Sequence, residues 1–89
     1  MTKVVIYTSP LCGFCYNAKT LLKDKNVEYE EVDIIVYPKR RLEMMDRANG
    51  RHTVPQIFID NHHIGGCDEL YALELQGKLD PLLNEEVTS

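Results

Sequence analysis

Two cysteines three residues apart, Cys12 and Cys15, constrain this chain more than any other feature. An apolar run at residues 4–7 precedes them, and apolar residues at helical spacing follow at positions 18, 21 and 22, so they mark the junction of a strand and a helix. The first N–H groups of a helix have no intrahelical partner, and partial positive charge collects there. Both effects favour a thiolate, the nucleophile of disulfide exchange. We therefore predict a redox-active pair in which Cys12 is the nucleophile and Cys15 is the resolving thiol.

The helix dipole alone is too weak to activate Cys12. It contributes about 0.3 to 1 kcal/mol at an exposed site, whereas each unit of thiol pKa corresponds to about 1.4 kcal/mol. Activated cysteines titrate at roughly 3.5 to 7.5, against about 8.5 for a free cysteine. We therefore expect direct N–H···S hydrogen bonds, from around Phe14 and Cys15, to carry much of the shift, with a smaller contribution from Lys19.

The composition indicates one small domain, residues 1–89, and excludes several classes of function. A net charge of −4 and a pI near 5.2 argue against nucleic-acid binding, which needs a basic face. No apolar run approaches the roughly 20 residues needed to span a membrane. The first residues lack the apolar core of a secretory signal, so a cytoplasmic protein is expected. Three cysteines in such a protein indicate catalysis or metal binding rather than a disulfide scaffold.

The hydrophobic pattern predicts an α/β sandwich of about four strands, with the element order βαβαββα and a short terminal helix. Strands are predicted at residues 4–7, 27–33, 57–59 and 63–64, and helices at about 13–25, from 38 to a stop at 49–50, from 67 to a stop at 77, and from 80. The βαβ start implies a parallel first pair of strands.

Three local features of this pattern carry further expectations. The second helix is expected to turn Leu42, Met45 and Ala48 toward the core. Residues 34–37 are more apolar than an ordinary loop, and packing under that helix is favoured over an exposed contact patch. Residues 84–89 are expected to fray.

Three stretches of the chain together resemble the glutaredoxin family. They are Cys12-Gly13-Phe14-Cys15, Thr53-Val54-Pro55 and Gly65-Gly66-Cys67-Asp68. The likeness is closest to small bacterial members of the dithiol type and covers nearly the whole chain. It implies the thioredoxin fold, with a four-stranded mixed sheet in the order 2-1-3-4 flanked by helices. It also implies a glutathione-dependent enzyme that reduces protein disulfides and glutathione mixed disulfides.

The resemblance implies that the segment Thr53-Val54-Pro55 binds the cysteine of glutathione. A cis peptide before Pro55 is chemically permitted, since proline is the one residue for which the cis form is cheap. It would turn the backbone of Val54 toward Cys12. The extended glutathione would then pair with that backbone in the manner of an added strand.

The segment Gly66-Cys67-Asp68 suits the γ-glutamyl end of glutathione. Backbone N–H groups at a helix start would bind its carboxylate, and Asp68 would bind its ammonium group. The alternative for Asp68 is a helix cap alone. Because the other two motifs are present, both roles are expected of it.

Two positions depart from the family pattern at the other end of glutathione. The family lysine that binds the glycine carboxylate is replaced by Ser9, and an assisting Arg or Gln of the second helix falls at Leu42. Arg41, the neighbour of Leu42, is expected to substitute, with Arg51 as the alternative.

Gly13-Phe14 between the cysteines opens a second function. Dithiol members mostly carry Pro-Tyr there, and Gly-Phe occurs in monothiol members, which lack a cysteine at the position of Cys15. Members without the proline can hold a [2Fe–2S] cluster between two subunits through the first cysteine and glutathione. The chain is therefore expected to be a monomeric dithiol enzyme acting on disulfide-bonded or glutathionylated proteins, with a cluster-binding dimer through Cys12 as the alternative.

A zinc site is a third interpretation, and the spacing argues against it. Its candidate ligands are Cys12, Cys15, Cys67, His52, His62 and His63. Zinc fingers need a second ligand pair at finger spacing, and Cys67 stands alone. We expect Cys67 to have a structural side chain and the histidines to lie at the surface or in turns.

Overall fold

The computed structural model describes residues 2–84, and over that range the elements follow the predicted order. They are β1 (Val4–Thr8), α1 (Gly13–Asp24), β2 (Tyr29–Asp33), α2 (Pro38–Arg47), β3 (Gln56–Ile59), β4 (His62–Gly65), α3 (Cys67–Leu75) and α4 (Leu79–Leu83). These strands form one sheet in the order β2-β1-β3-β4. β1 is parallel to β2 and antiparallel to β3, and β3 and β4 form an antiparallel hairpin. The thioredoxin fold and its strand order are thereby confirmed.

Both faces of β1 are buried, because helices cover the sheet on each side. Val4 and Ile6 belong to a cluster with residues of α1, α3 and α4, whereas Val5 and Tyr7 pack in a second cluster with residues of α2. A strand buried on both faces must be apolar throughout, which explains the uninterrupted run in the sequence. The loop that carries Cys12 therefore leaves the sheet from its most deeply packed strand.

α1 begins directly after Cys12 and ends at Asp24, with Lys25 as its C-cap residue. Asn26 follows with a φ of 58°, which is the predicted left-handed termination. The buried residues of α1 are the predicted stripe, Cys15, Ala18, Leu21 and Leu22. At 12 residues, α1 is the longest of these helices, and none in the described part of the chain is long and apolar enough to cross a membrane. Of the residues expected to fray, Asn84 closes α4 and residues 85–89 lie outside the described range.

The expectation that residues 34–37 pack under α2 is wrong for three of the four. Ile34 is buried, and its N–H donates to the Thr8 carbonyl at 2.9 Å, so it continues the pairing of β2 with β1. Beyond it the Asp33 carboxylate accepts the N–H groups of the next two residues, at 2.8 and 3.2 Å, and turns the chain outward. As a result Ile35, Val36 and Tyr37 are each about 60% exposed.

The inward face of α2 also differs from the prediction. Ala48 is buried and Met45 partly so, as expected, but Leu42 is 69% exposed and Met44 takes the fully buried position. Met44 and Ala48 are four residues apart, so they share one helix face, whereas Leu42 lies on the opposite side. The periodic pattern alone did not fix the rotation of this helix.

Candidate active site

Cys12 is the N-cap residue of α1 and ends the connection between β1 and this helix. It is joined to Cys15 as a disulfide, with the two Cα atoms 5.2 Å apart. Cys12 is half-buried and Cys15 is only 1% exposed, so an incoming thiol or disulfide reaches Cys12. The Cys15 N–H donates to the Cys12 sulfur over 3.1 Å. This is a direct hydrogen bond of the kind that the sequence required.

Lys19, from which a small contribution at Cys12 was expected, is paired with Glu31. Its Nζ lies 2.9 Å from Oε2 of Glu31, and the same oxygen accepts the Thr8 hydroxyl at 2.8 Å. Burial acts to raise the pKa of Glu31, but the hydrogen bonds from Lys19 and Thr8 outweigh it and lower that pKa. Lys19 is thus engaged with a carboxylate at the edge of β2.

The loop of residues 53–55 faces the cysteine pair. The peptide bond between Val54 and Pro55 is cis, as the resemblance implied. The Val54 carbonyl oxygen lies 3.8 Å from the sulfur of Cys12. A backbone acceptor therefore stands directly beside the more accessible sulfur.

A cleft of about 290 Å³ runs from this loop to the start of α3. Its lining residues are Phe14, Arg51, Thr53, Val54, Pro55, Gly66, Cys67, Asp68 and Glu69. Six of the seven glutathione-binding residues predicted from the sequence therefore line one cleft. The exception is Arg41, which is exposed on α2, while the alternative cation, Arg51, lies within the lining.

The start of α3 is capped by Glu69, and the expectation that Asp68 caps it is wrong. Gly66 is the N-cap residue, and its N–H donates to the Glu69 carboxylate at 2.6 Å. This hydrogen bond, opposed by burial and aided by nearby Arg51, lowers the pKa of Glu69. Asp68 is exposed and makes no hydrogen bond or ion pair with any other described residue, so its carboxylate is available to a ligand.

The glycines before α3 permit a close approach of two backbone segments. Gly65 has a φ of +120°, and a Cβ there would lie 2.7 Å from the Glu69 carboxylate. A Cβ on Gly66 would lie 3.3 Å from the carbonyl oxygen of Pro55. Any side chain at either position would therefore disturb the helix cap or widen the cleft.

Cys67 has a buried side chain in the cluster that contains Leu70. Burial, with a smaller contribution from the Asp68 charge, raises the pKa of the Cys67 thiol. A buried thiol with a raised pKa is a poor nucleophile. The structure is consistent with a structural side chain whose backbone lies at the cleft.

Two polar residues beneath the cleft were not found from the sequence. Gln56 is fully buried in β3, and its Nε2 donates to the carbonyl oxygen of Thr53 at 3.0 Å and to the Thr53 hydroxyl at 3.3 Å. His63, expected at the surface, is half-buried, and its Nε2 lies 2.7 Å from Gln56 Oε1. A polar residue at the head of an otherwise apolar strand was the signal available for Gln56, because a buried amide needs partners.

Comparison with known proteins gives a consistent result. A family model described as Glutaredoxin matches residues 4–64. Glutaredoxin 3 of Escherichia coli (strain K12) is 54% identical over 83 residues, which are 93% of this chain and 99% of that protein. The solution structure of a glutaredoxin from Brucella melitensis has a TM-score of 0.80 and 54% identity, over 93% of this chain and 89% of that one. The crystal structure of a buckwheat glutaredoxin–glutathione complex has a TM-score of 0.85 and 29% identity, over 94% and 78%.

Proposed function

Because the chain belongs to the glutaredoxin family and is a dithiol, glutathione-dependent thiol–disulfide oxidoreductase, we propose that Cys12 is its nucleophile and Cys15 its resolving thiol. The observation that carries this assignment is the unequal exposure of the two sulfurs. Cys12 is half-buried at the tip of α1, and Cys15 is almost fully buried one turn further along. The Cys15 N–H that reaches the Cys12 sulfur also stabilises negative charge there when the pair is reduced.

The reaction proceeds by two thiol–disulfide exchanges. The Cys12 thiolate attacks the glutathione sulfur of a mixed disulfide, a new Cys12–glutathione bond forms, and the protein thiolate leaves and takes up a proton. A second glutathione thiolate then attacks that sulfur, which releases oxidised glutathione and restores the Cys12 thiolate. With a protein disulfide, the Cys12 thiolate attacks one sulfur and forms a mixed disulfide with the protein, and the other protein sulfur leaves as a thiolate. The Cys15 thiolate then attacks the Cys12 sulfur, releases the protein as a dithiol and leaves the Cys12–Cys15 disulfide seen in the structure. Two glutathione thiols reduce that disulfide and leave as oxidised glutathione.

Glutathione is proposed to lie along the cleft from Cys12 to α3. Its cysteine pairs with the backbone of Val54 beside Thr53 and Pro55. Its γ-glutamyl group binds the N–H groups of the segment Gly66-Cys67-Asp68 and the exposed Asp68 carboxylate. These groups line one cleft, which supports the arrangement.

The glycine carboxylate of glutathione is proposed to bind an arginine. Arg41 on α2 is the proposed cation at that end, and Arg51, which lines the cleft beside Glu69, is the alternative. The proposed protein partners are disulfide-bonded or glutathionylated proteins. The proposed location is the cytoplasm, where glutathione keeps thiols reduced and can recycle Cys12.

Serine variants of the three cysteines test the assignment. Cys12→Ser should abolish both the deglutathionylation of a peptide and the reduction of a protein disulfide. Cys15→Ser should retain deglutathionylation and lose dithiol reduction, because only the second reaction needs a resolving thiol. Cys67→Ser is the matched control and should retain both. Dithiol reduction that persists in Cys15→Ser would contradict the assignment.

A second function, binding of a [2Fe–2S] cluster, is proposed because Gly13-Phe14, and not Pro-Tyr, lies between the two cysteines. Within residues 2–84 no group of three His, Cys, Asp or Glu side chains could hold a metal, so one chain alone does not supply the ligands. Cys12 is accessible, and a Cβ on Gly13 would meet nothing within 4 Å, so the helix tip is open to a second subunit. The fitting ligands are Cys12 and glutathione from each of two subunits, and the cluster supplies electron transfer or is itself delivered.

Anaerobic purification with glutathione tests cluster binding. A brown dimer whose visible absorbance is lost in Cys12→Ser is the expected result. A colourless monomer under the same conditions would contradict this second function and leave the oxidoreductase assignment intact.

A further inference from the structure

We propose that Gln56 and His63 form a positioning pair that fixes the Thr53–Val54 peptide, so that its N–H faces the cysteine of glutathione. This inference rests on the proposed function, in which the Val54 backbone receives glutathione. It adds a reason for the orientation of that backbone. Neither Gln56 nor His63 is among the residues that line the cleft, so both act through Thr53.

The peptide plane between Thr53 and Val54 has one direction set by Gln56. The buried Gln56 amide donates to the Thr53 carbonyl oxygen at 3.0 Å, which directs that carbonyl into the protein. In a planar trans peptide the C=O and the following N–H point in opposite directions. The Val54 N–H therefore points away from Gln56 and toward the cleft.

The side chain of Thr53 is held in the same way. Its hydroxyl lies 3.3 Å from Gln56 Nε2, so one amide group contacts both the backbone and the side chain of Thr53. On the other side of this residue, the Val54 carbonyl oxygen lies 3.8 Å from the Cys12 sulfur, so the loop stands next to the reactive cysteine. The Val54 N–H that an added strand would use is thus set before glutathione arrives.

His63 determines which way the Gln56 amide is turned. Because the NH₂ group faces Thr53, the oxygen Oε1 faces His63, whose Nε2 lies 2.7 Å away. That oxygen can only accept, so His63 Nε2 carries the proton. The His63 ring also packs against Phe58, with the ring centroids 5.0 Å apart, which limits its rotation.

A turned amide would place an oxygen against the Thr53 carbonyl, and two acceptors repel. With its proton on Nε2, His63 donates to Oε1 and so stabilises the orientation in which the NH₂ group of Gln56 holds Thr53. His62 is the natural comparison, because it lies on the same strand next to His63 but is exposed.

The test compares His63→Phe with His62→Phe in the full chain. Phenylalanine keeps an aromatic ring beside Phe58 and removes the donor. The measurements are KM and kcat for the mixed disulfide of glutathione and 2-mercaptoethanol, the dithiothreitol-driven reduction of a disulfide without glutathione, and the thermal midpoint. We expect KM in His63→Phe to rise about fivefold to tenfold, the loss of one hydrogen bond, with the dithiothreitol reaction within about twofold of the parent.

Two further variants make the result decisive. His63→Gln restores an N–H donor and should recover a KM near that of the parent, which a purely steric role of the ring would not do. Asp68→Asn acts at α3 without touching Gln56, so it reports on the proposed glutathione site itself.

Each outcome has one meaning. A raised KM in both His63→Phe and Asp68→Asn, with recovery in His63→Gln, supports the pair. An unchanged KM in His63→Phe beside a raised KM in Asp68→Asn overturns the pair and leaves the site standing. An unchanged KM in Asp68→Asn removes the γ-glutamyl ammonium group from Asp68 and overturns the placement of glutathione on which the pair rests. If His63→Phe loses the glutathione and dithiothreitol reactions together, or His62→Phe behaves like it, the role is structural and the inference fails.

Discussion

The two ends of the proposed glutathione site are built in different ways. The α3 end consists of residues 66–69, where a helix cap and a close backbone contact hold the chain in place. The α2 end consists of Ser9, Arg41 and Leu42, where the family pattern has cations and this chain has a half-buried hydroxyl, an exposed arginine and an exposed leucine.

The comparison shows where binding energy for glutathione is expected to lie. A hydrogen bond to a charged group contributes about 1.5 to 3 kcal/mol when its partner is held in place. An exposed ion pair contributes about 0 to 1 kcal/mol, because solvent screens it and the side chains lose freedom. The α3 end should therefore dominate affinity, and the α2 end should modulate it.

The largest expected effect is that of Asp68→Asn at the α3 end. Loss of a charge-assisted contact to the γ-glutamyl ammonium should raise KM for a glutathione mixed disulfide by roughly 5-fold to 10-fold, because Asp68 is exposed and solvent screens the contact. The reduction of a disulfide driven by dithiothreitol, without glutathione, should be unaffected. Asp46→Asn, an exposed change on α2, is the matched control. A KM within about twofold of the parent would remove the ammonium from Asp68 and erase the difference between the ends.

The next effect concerns the stability of the α3 end and its dependence on pH. Glu69→Gln keeps an acceptor for the Gly66 N–H and removes the charge, so at pH 7 it should lower the free energy of unfolding by about 0.5 to 1 kcal/mol. The folded pKa of Glu69 is lowered, chiefly by that N–H, so the stabilisation is present above the unfolded pKa near ~4.3 and is lost as pH falls through the folded value.

Urea unfolding at several pH values measures this difference. The gap between the parent and Glu69→Gln should narrow as pH falls below the unfolded pKa near ~4.3, and it should close below the lowered folded pKa of Glu69, where the carboxylate of the parent is protonated. Glu28→Gln, at an exposed position, should show little gap at any pH. A gap that persists in acid would mean that the shape of the side chain, and not its charge, stabilises the cap.

Features set by local chemistry could be predicted from the sequence, whereas features set by tertiary packing could not. Element order, the buried stripe of α1 and the cis peptide before Pro55 follow from hydrophobic period or from motifs whose chemistry is local. The exposure of Leu42 depends on how α2 is rotated against the sheet, and that of residues 35–37 on the turn that the Asp33 carboxylate holds. The hydrophobic pattern specifies neither. Glutaredoxin motifs located six lining residues of the cleft, but a motif names positions and not the direction of a peptide plane.

Two kinds of contact were revealed only by the structure. The contacts of Gln56 are tertiary, and the cap at the start of α3 could have come from either of two acidic residues. Gln56 reaches Thr53 and His63 across a loop and a hairpin, so no spacing rule predicts the group. Asp68 and Glu69 are both acceptable near a helix start. The spacing from Gly66 to Glu69, three residues, is that of a capping box and was the overlooked local signal.

The third effect separates the two arginines. Arg51→Gln should raise KM for a glutathione mixed disulfide about threefold to fivefold, because Arg51 lines the cleft and is partly exposed. Arg41→Gln, on the exposed side of α2, should leave KM within about twofold. The thermal midpoint of Arg51→Gln is measured alongside, since Arg51 also lies 3.5 Å from Glu69. A larger rise in KM for Arg41→Gln than for Arg51→Gln would make the α2 end, and not the α3 end, the stronger of the two.

The smallest expected effect is a tighter binding of glutathione at the α2 end. Ser9→Lys restores a cation where the family pattern has one, and it should lower KM for a glutathione mixed disulfide about twofold to fivefold at low salt. The gain should shrink as ionic strength rises, because the Debye length falls from about 30 Å at 0.01 M to about 10 Å at 0.1 M. Ser9→Gln, a side chain of similar reach without charge, is the control. A gain that survives high salt, or that Ser9→Gln reproduces, would show that contact and not charge is what the α2 end lacks.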